Sequence, residues 1–158
     1  AAEGLVTMKV RRGAYVTEVS TQDLSDVYHL LSLLESDAAG VVAEKATPQE
    51  IRELEQLHKD LETAAKPGTD NTDQFFAVNE HFHMRLLEIA NNRWRDQMVG
   101  DLRKVMKLNR HNSLFKSGRL QESLKEHQDI MDALMARDAA LSVQRMNTHF
   151  ANGLEAAS

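Results

Sequence analysis

The chain contains no cysteine, and this absence removes disulfide bridges, thiolate nucleophiles and cysteine-ligated zinc. Proline is nearly as scarce, with two in 158 residues, and seven glycines complete a composition that is neither collagenous nor low-complexity. No run approaches the roughly 18 apolar residues that span a bilayer, so no membrane partner is expected. The first residues lack the basic-then-apolar pattern of a secretory leader, which makes the cytoplasm the expected compartment. A basic excess is missing too: 19 basic against 24 acidic side chains give a net charge of −5, which opposes a broad nucleic-acid surface while leaving room for a local basic contact. Also absent are a phosphate-loop glycine pattern, a nucleophile elbow and an HExxH string. What remains, 42% hydrophobic and 27% charged residues, is the composition of a soluble domain large enough for one core.

The segment from Gly4 to Ser20, GLVTMKVRRGAYVTEVS, alternates Val, Thr and Tyr on both sides of Arg11-Arg12-Gly13 and predicts a short β-hairpin turning near Gly13. Lys9, Arg11 and Arg12 gather at its tip, either as a solvated turn or as a contact to DNA phosphate or minor groove. Two strands alone are marginal in water, so the hairpin must lean on something else.

From Ser20 onward the pattern is helical. Ser20 and Asp23 announce a first helix to about Glu44, with Leu24, Val27, Leu31, Leu34, Ala38 and Val41 on its apolar stripe. Thr47, Pro48 and Glu50 form a capping-box start for the second, in which Ile51, Leu54, Leu57 and Leu61 face inward. A third helix, capped by Asn71 or Thr72, ends near Asn91-Asn92, and a fourth runs from about Trp94 to Asn109 with Trp94, Met98, Leu102 and Val105 on one side. After a break at 113–118, Leu120, Leu124, Met131 and Leu134 mark a fifth, and Asp138 caps a sixth to about Leu154. The expectation is an all-α, mostly antiparallel bundle of about six helices, preceded by a short β-hairpin remnant.

Each helical residue turns by about 100°, which separates the seven histidines. On the third helix Asn79 falls within the apolar face of Phe75, Phe82 and Leu86, His83 lies beside it, and His81 projects to the surface. His127 occupies the middle of the Leu120, Leu124, Met131, Leu134 stripe, where its ring nitrogens need partners. His149 lies at the flank of the Val143, Met146, Phe150 face, and His29, His58 and His111 read as rim or solvent-facing. Asn79 and His83, one turn apart, can share an ion with His127 and His149 arriving from facing helices. The competing reading for each is a hydrogen-bonded core residue without metal. Imidazole favours zinc, nickel, cobalt or copper, and an amide oxygen with open positions widens the choice toward manganese or iron. Trp94 and Met98, Met106, Met131, Met135 and Met146 read as packing.

A metal-dependent hydrolase or isomerase would use the same ligands but lacks a base: Glu80 and Glu126 stand beside Asn79 and His127 and are turned away from them by periodicity. Binding is therefore favoured over catalysis. A third reading is a purely structural dimeric bundle.

With these residues in place, the chain resembles the effector-binding FCD domain of the FadR branch of the GntR superfamily of transcription regulators, from about Thr21 to Phe150. Its Asp-x-x-Phe-His metal pattern is matched by Asn79-Glu80-His81-Phe82-His83, and the later ligands by His127 in KEHQDIMDAL and His149 in MNTHF. The departure is Asn79, a neutral oxygen donor where the pattern has an acid. A YxLRRxLE-like segment is matched by Tyr28-His29-Leu30-Leu31-Ser32-Leu33-Leu34-Glu35, in which both arginine positions are lost. A carboxylate effector would then meet its charge at the metal or at a basic residue such as Arg103 or Arg110. The resemblance implies a winged helix-turn-helix remnant over residues 1–20 and an all-helical effector-binding domain over 21–156. It also implies a zinc or nickel ion, a homodimer, a small organic-acid effector, and operator DNA reached through a mostly absent reading head, with Lys9, Arg11 and Arg12 as auxiliary contacts. The chain reads on this basis as a truncated or cleaved regulator, or as the ordered portion of one.

Overall fold

The computed structural model describes residues 19–68, 72–108 and 118–157. The expected hairpin tip with Lys9, Arg11 and Arg12, the candidate cap Asn71, and Arg110 and His111 lie outside the described residues. Those described form six α-helices: α1 Thr21–Lys45, α2 Pro48–Ala64, α3 Thr72–Ala90, α4 Arg93–Lys107, α5 Arg119–Met135 and α6 Ala139–Ala157. None of them is long and apolar enough to cross a membrane.

Helix starts follow the polar signals of the sequence. Ser20 accepts from the Asp23 amide, the Thr47–Glu50 capping box closes in both directions, Asn92 accepts from the Arg95 amide, and Asp138 accepts from the Leu141 amide. Arg137 adopts a left-handed φ of 57°, which reverses the chain between α5 and α6. Its guanidinium donates to the carbonyl of Ala46 at 2.6 Å, satisfying an acceptor at the end of α1.

α1 is the central helix. It packs most heavily on α6 and also touches α3, α4 and α5. Ser32 and Ser36 both donate to Asn147, Tyr28 meets Phe150 at 6.3 Å between ring centres, and Gly40 faces Val143, so α1 and α6 run antiparallel. At Gly40 an added Cβ would stand 2.9 Å from Val143 Cγ2, and this close approach requires glycine. The main core gathers Leu31, Ala38, Val42, Leu54, Phe82, Leu86, Ile130, Leu134 and Met146 around α1. A smaller cluster of Leu61, Ala64, Ala65, Phe75 and Val78 closes the α2–α3 end, with Leu120 and Leu124 of α5 against it.

Two expectations are corrected. Trp94 and Met98 are 66% and 54% exposed in the single chain, and the inner stripe of α4 is Arg95, Val99 and Arg103. Two arginines on that stripe hid it from an apolar reading; Arg95 is drawn inward by Asp37 of α1 and Arg103 by Glu35 and Glu80. Met135 is also exposed, whereas Met131 and Met146 are core residues. His58, expected at the rim, is 3% exposed and shares a 2.9 Å hydrogen bond through Nε2 with Gln128 of α5. The spacing Leu54, His58, Leu61 already marked it as part of the inner stripe of α2.

Candidate metal and effector site

His83 of α3, His127 of α5 and His149 of α6 converge in the interior, each offering a ring nitrogen within 4.8 Å of the others. Their elements bring them there for different reasons. His127 takes a core position beside Ile130 and Met131 and is fully buried, with its ring against Phe82 at 4.8 Å between centres. His83 follows Phe82 on the buried face of α3, and His149 precedes Phe150 on α6. His81 is exposed, as its helical phase requires.

Behind two of the histidines stand carboxylates. His83 Nδ1 and Glu35 Oε1 are 2.6 Å apart, and His149 Nδ1 and Glu126 Oε1 are also 2.6 Å apart. Each carboxylate is held in turn by an arginine: Arg103 donates to Glu35 at 2.9 Å, and Arg119 donates to both oxygens of Glu126 at 2.9 and 3.0 Å. Arg103 also donates to Glu80 at 2.9 Å, and Asn152 donates to Glu126 at 2.9 Å. Burial alone would raise the Glu35 carboxyl, but the charges and hydrogen bonds of His83 and Arg103 outweigh it and hold it at about 2. Glu126 is likewise held at about 2, burial being outweighed by bonds from His149, Arg119 and Asn152. Both are ionised acceptors, so His83 and His149 present Nδ1 to carboxylate and leave Nε2 to face the cluster.

His127 has no such backing. Both of its ring nitrogens are buried without a hydrogen-bond partner, as is Oδ1 of Asn79. Burial, followed by the neighbouring positive groups, pushes the His127 imidazole well below its ordinary value and keeps it neutral. Burial also lowers His83, against the opposing pull of Glu35. The unpartnered His127 imidazole and the orphaned Asn79 amide oxygen, with the imidazoles of His83 and His149 beside them, offer the nitrogen and oxygen donors that a borderline divalent cation takes. On that observation the residues fit a metal.

A cavity of about 90 Å³ opens beside Asn79, His83 and His149. Phe75, Phe76, Met106 and Phe150 give it apolar walls, while Glu80, Arg103, Lys107 and Arg119 supply charge. Gly153 forms part of the wall, where a Cβ would come within 3.2 Å of the Tyr28 ring. Arg103, a candidate from the sequence, does line this cavity, but it is 1% exposed and already holds Glu35 and Glu80. Arg119 escaped the sequence reading, as did the roles of Glu35 and Glu126 as partners of His83 and His149. Glu80 and Glu126, expected to turn away from Asn79 and His127, each lie about 100° around the helix from the inner face and meet the adjoining helix, α4 for Glu80 and α6 for Glu126. The signal available was a one-residue offset from a core position, which in a bundle faces a neighbour and not solvent.

Comparison with known proteins identifies the fold and the family. The family model described as the FCD domain matches residues 26–152. The HTH-type transcriptional regulator YdhC of Bacillus subtilis is 24% identical over 153 residues, covering 97% of this chain and 68% of that protein. The HTH-type transcriptional repressor RspR of Escherichia coli is 25% identical over 150 residues, covering 94% of this chain and 64% of the relative. Among solved structures, E. coli McbR/YncC superposes with a TM-score of 0.79 at 22% identity over 89% of this chain and 66% of that one. Streptococcus agalactiae GntR gives 0.71 at 22% identity over 84% and 58%, and both show the same fold. The chain thus spans about two thirds of the length of the proteins it matches. With these matches the hydrolase or isomerase alternative is set aside, and the chain belongs to the FCD-domain family of transcriptional regulators.

Proposed function

We propose that this chain is the sensing part of a ligand-responsive, DNA-binding regulator of the GntR type, with a divalent metal anchoring its pocket and a small organic acid as effector. The observation that carries the reading is His127: a neutral, fully buried imidazole with two unpaired nitrogens is costly to fold unless something takes a lone pair. His83, His127 and His149 would hold the ion through imidazole nitrogens and Asn79 through Oδ1, with zinc or nickel the best matched, and manganese or iron the wider options. The bound ion supplies positive charge and a Lewis-acidic anchor for a carboxylate. The protein's own groups do the rest. Glu35 and Glu126 orient two imidazoles, the aromatic walls exclude water, and Arg103 with Arg119 sets the polarity of the cavity.

Residues 1–20 are read as the wing end and linker of a winged helix-turn-helix domain and 21–156 as the effector-binding domain. Lys9, Arg11 and Arg12 serve as auxiliary DNA contacts, and Arg110 stands as a further candidate for the effector. The working unit is a cytoplasmic homodimer in which effector binding biases the placement of the paired DNA-binding domains. Elemental analysis and anomalous diffraction on protein purified without chelator test the centre directly. One anomalous peak bonded to His83, His127 and His149 is expected; histidines bonded to no ion in protein loaded with zinc or nickel would sink the reading.

A further inference from the structure

α4 turns outward the side chains that its sequence marks for burial. Trp94 and Met98 stand in solvent, and of six large hydrophobic side chains exposed among the described residues, four lie on two adjoining helices: Leu30 and Leu33 on α1, Trp94 and Met98 on α4. Leu108 follows at the end of α4, and only Met135, at the end of α5, stands apart. Leu30, Leu33 and Asp37 succeed one another at intervals of three and four, so they share one face of α1, and that Asp37 reaches Arg95, between Trp94 and Met98. The four apolar side chains therefore border one seam.

At 44–66% exposure these four present roughly 450 Å² of mainly apolar surface, which with a polar rim approaches the roughly 800 Å² per partner of a stable interface. The rim charges divide between the helices. The exposed edge of α1 carries Asp26 and Asp37, and that of α4 carries Arg93 and Lys104; Asp101 lies 3.8 Å from Lys104, an exposed pair that water screens. A two-fold contact that sets α1 of one copy beside α4 of the other brings acid to base on both sides of the axis, while the apolar centre meets itself with no like charge to bury. We infer that this α1–α4 face is where a second copy of the chain docks, with Leu33 and Met98 at the centre of the contact and Trp94 covered by it. The inference rests on the homodimer reading above and deepens it by giving the helical domain an interface of its own. It also accounts for the apolar stripe of α4, whose partner is another chain.

The test is sedimentation velocity on the 158-residue chain over a concentration series, with the emission of Trp94, its single tryptophan, read in parallel. The expected result is a dimer at micromolar concentration. Met98→Lys and Leu33→Lys each put an unpaired ammonium at the apolar centre and should weaken association by about 100-fold or more, leaving monomers whose Trp94 emits at longer wavelength than in the wild-type dimer. Met135→Lys, on an exposed apolar residue outside the face, should leave the dimer intact. A wild-type chain that stays monomeric up to its solubility limit overturns the interface together with the dimer reading for this domain. A dimer that persists with unchanged affinity in Met98→Lys and Leu33→Lys overturns the α1–α4 assignment and leaves the dimer standing, and an equal loss in Met135→Lys overturns the assignment as well. Circular dichroism checks each fold; should Met98→Lys lose its helical signal, Leu33→Lys on the other helix decides.

Discussion

Oε1 of Glu126 lies 2.6 Å from Nδ1 of His149, and the same carboxylate accepts two hydrogen bonds from Arg119. One acid thus orients a candidate metal ligand and neutralises a cavity arginine. Glu126→Gln keeps the shape but removes the charge. Metal affinity should fall by about 10- to 100-fold, the usual effect of losing such an orienting partner, in a chelator-competition titration. Unchanged affinity would show that Glu126 serves only the fold.

Glu35 makes the matching connection to His83 and Arg103, but at 0% exposure it lies deeper. Glu35→Ala leaves Arg103 with Glu80 alone, in a place where water cannot replace the lost partner. The expected loss is about 3–5 kcal/mol of stability in urea denaturation, the range for breaking a buried ion pair from one side. A loss under about 1 kcal/mol, the range of exposed pairs, would mean that Arg103 escapes to solvent.

His127 gives a prediction of opposite signs. His127→Leu replaces two unsatisfied nitrogens by an apolar side chain facing Phe82, so the metal-free protein should gain about 1–2 kcal/mol. The same change should abolish metal binding, whereas His81→Ala, on an exposed residue, should leave it intact. Chemical denaturation in chelator, paired with metal titration, reads both signs. Equal metal loss in both variants would contradict the inward assignment of His127.

Gly40 tests the seam between α1 and α6. Alanine has the better helix propensity, by about 1 kcal/mol, but its Cβ would press on Val143 at 2.9 Å. Gly40→Ala should therefore destabilise by about 1–3 kcal/mol, as overpacking does. In a Val143→Ala background, where the obstructing methyl is gone, the same change should turn stabilising. A double-mutant cycle by thermal melting measures the coupling, and simple additivity would place the clash elsewhere.

The six helices could be read from the chain because their signals are local. Ser20, Thr47 with Pro48 and Glu50, and Asp138 cap their own first turns, and the apolar stripes of α1, α3, α5 and α6 repeat at helical spacing. The histidines could be sorted for the same reason. A residue's phase on its helix is a property of the sequence, which is why His83 and His127 were expected inside and His81 outside. α4 defeated this reasoning, since its inner stripe carries Arg95 and Arg103, and only their partners Asp37, Glu35 and Glu80 on other helices make burial tolerable.

What the sequence by itself determined, then, is each helix and, apart from α4 and His58, which way the residues singled out on it point, because capping and periodicity act over a few residues. Only the tertiary structure decided that Glu35 stands behind His83, Glu126 behind His149, and Arg119 beside the cavity that Arg103 shares. The first two contacts join residues 48 and 23 positions apart on different helices, and depend on how helices are set against one another. Periodicity gives the direction of a side chain but not what stands opposite, and the polarity of this pocket is a matter of what stands opposite.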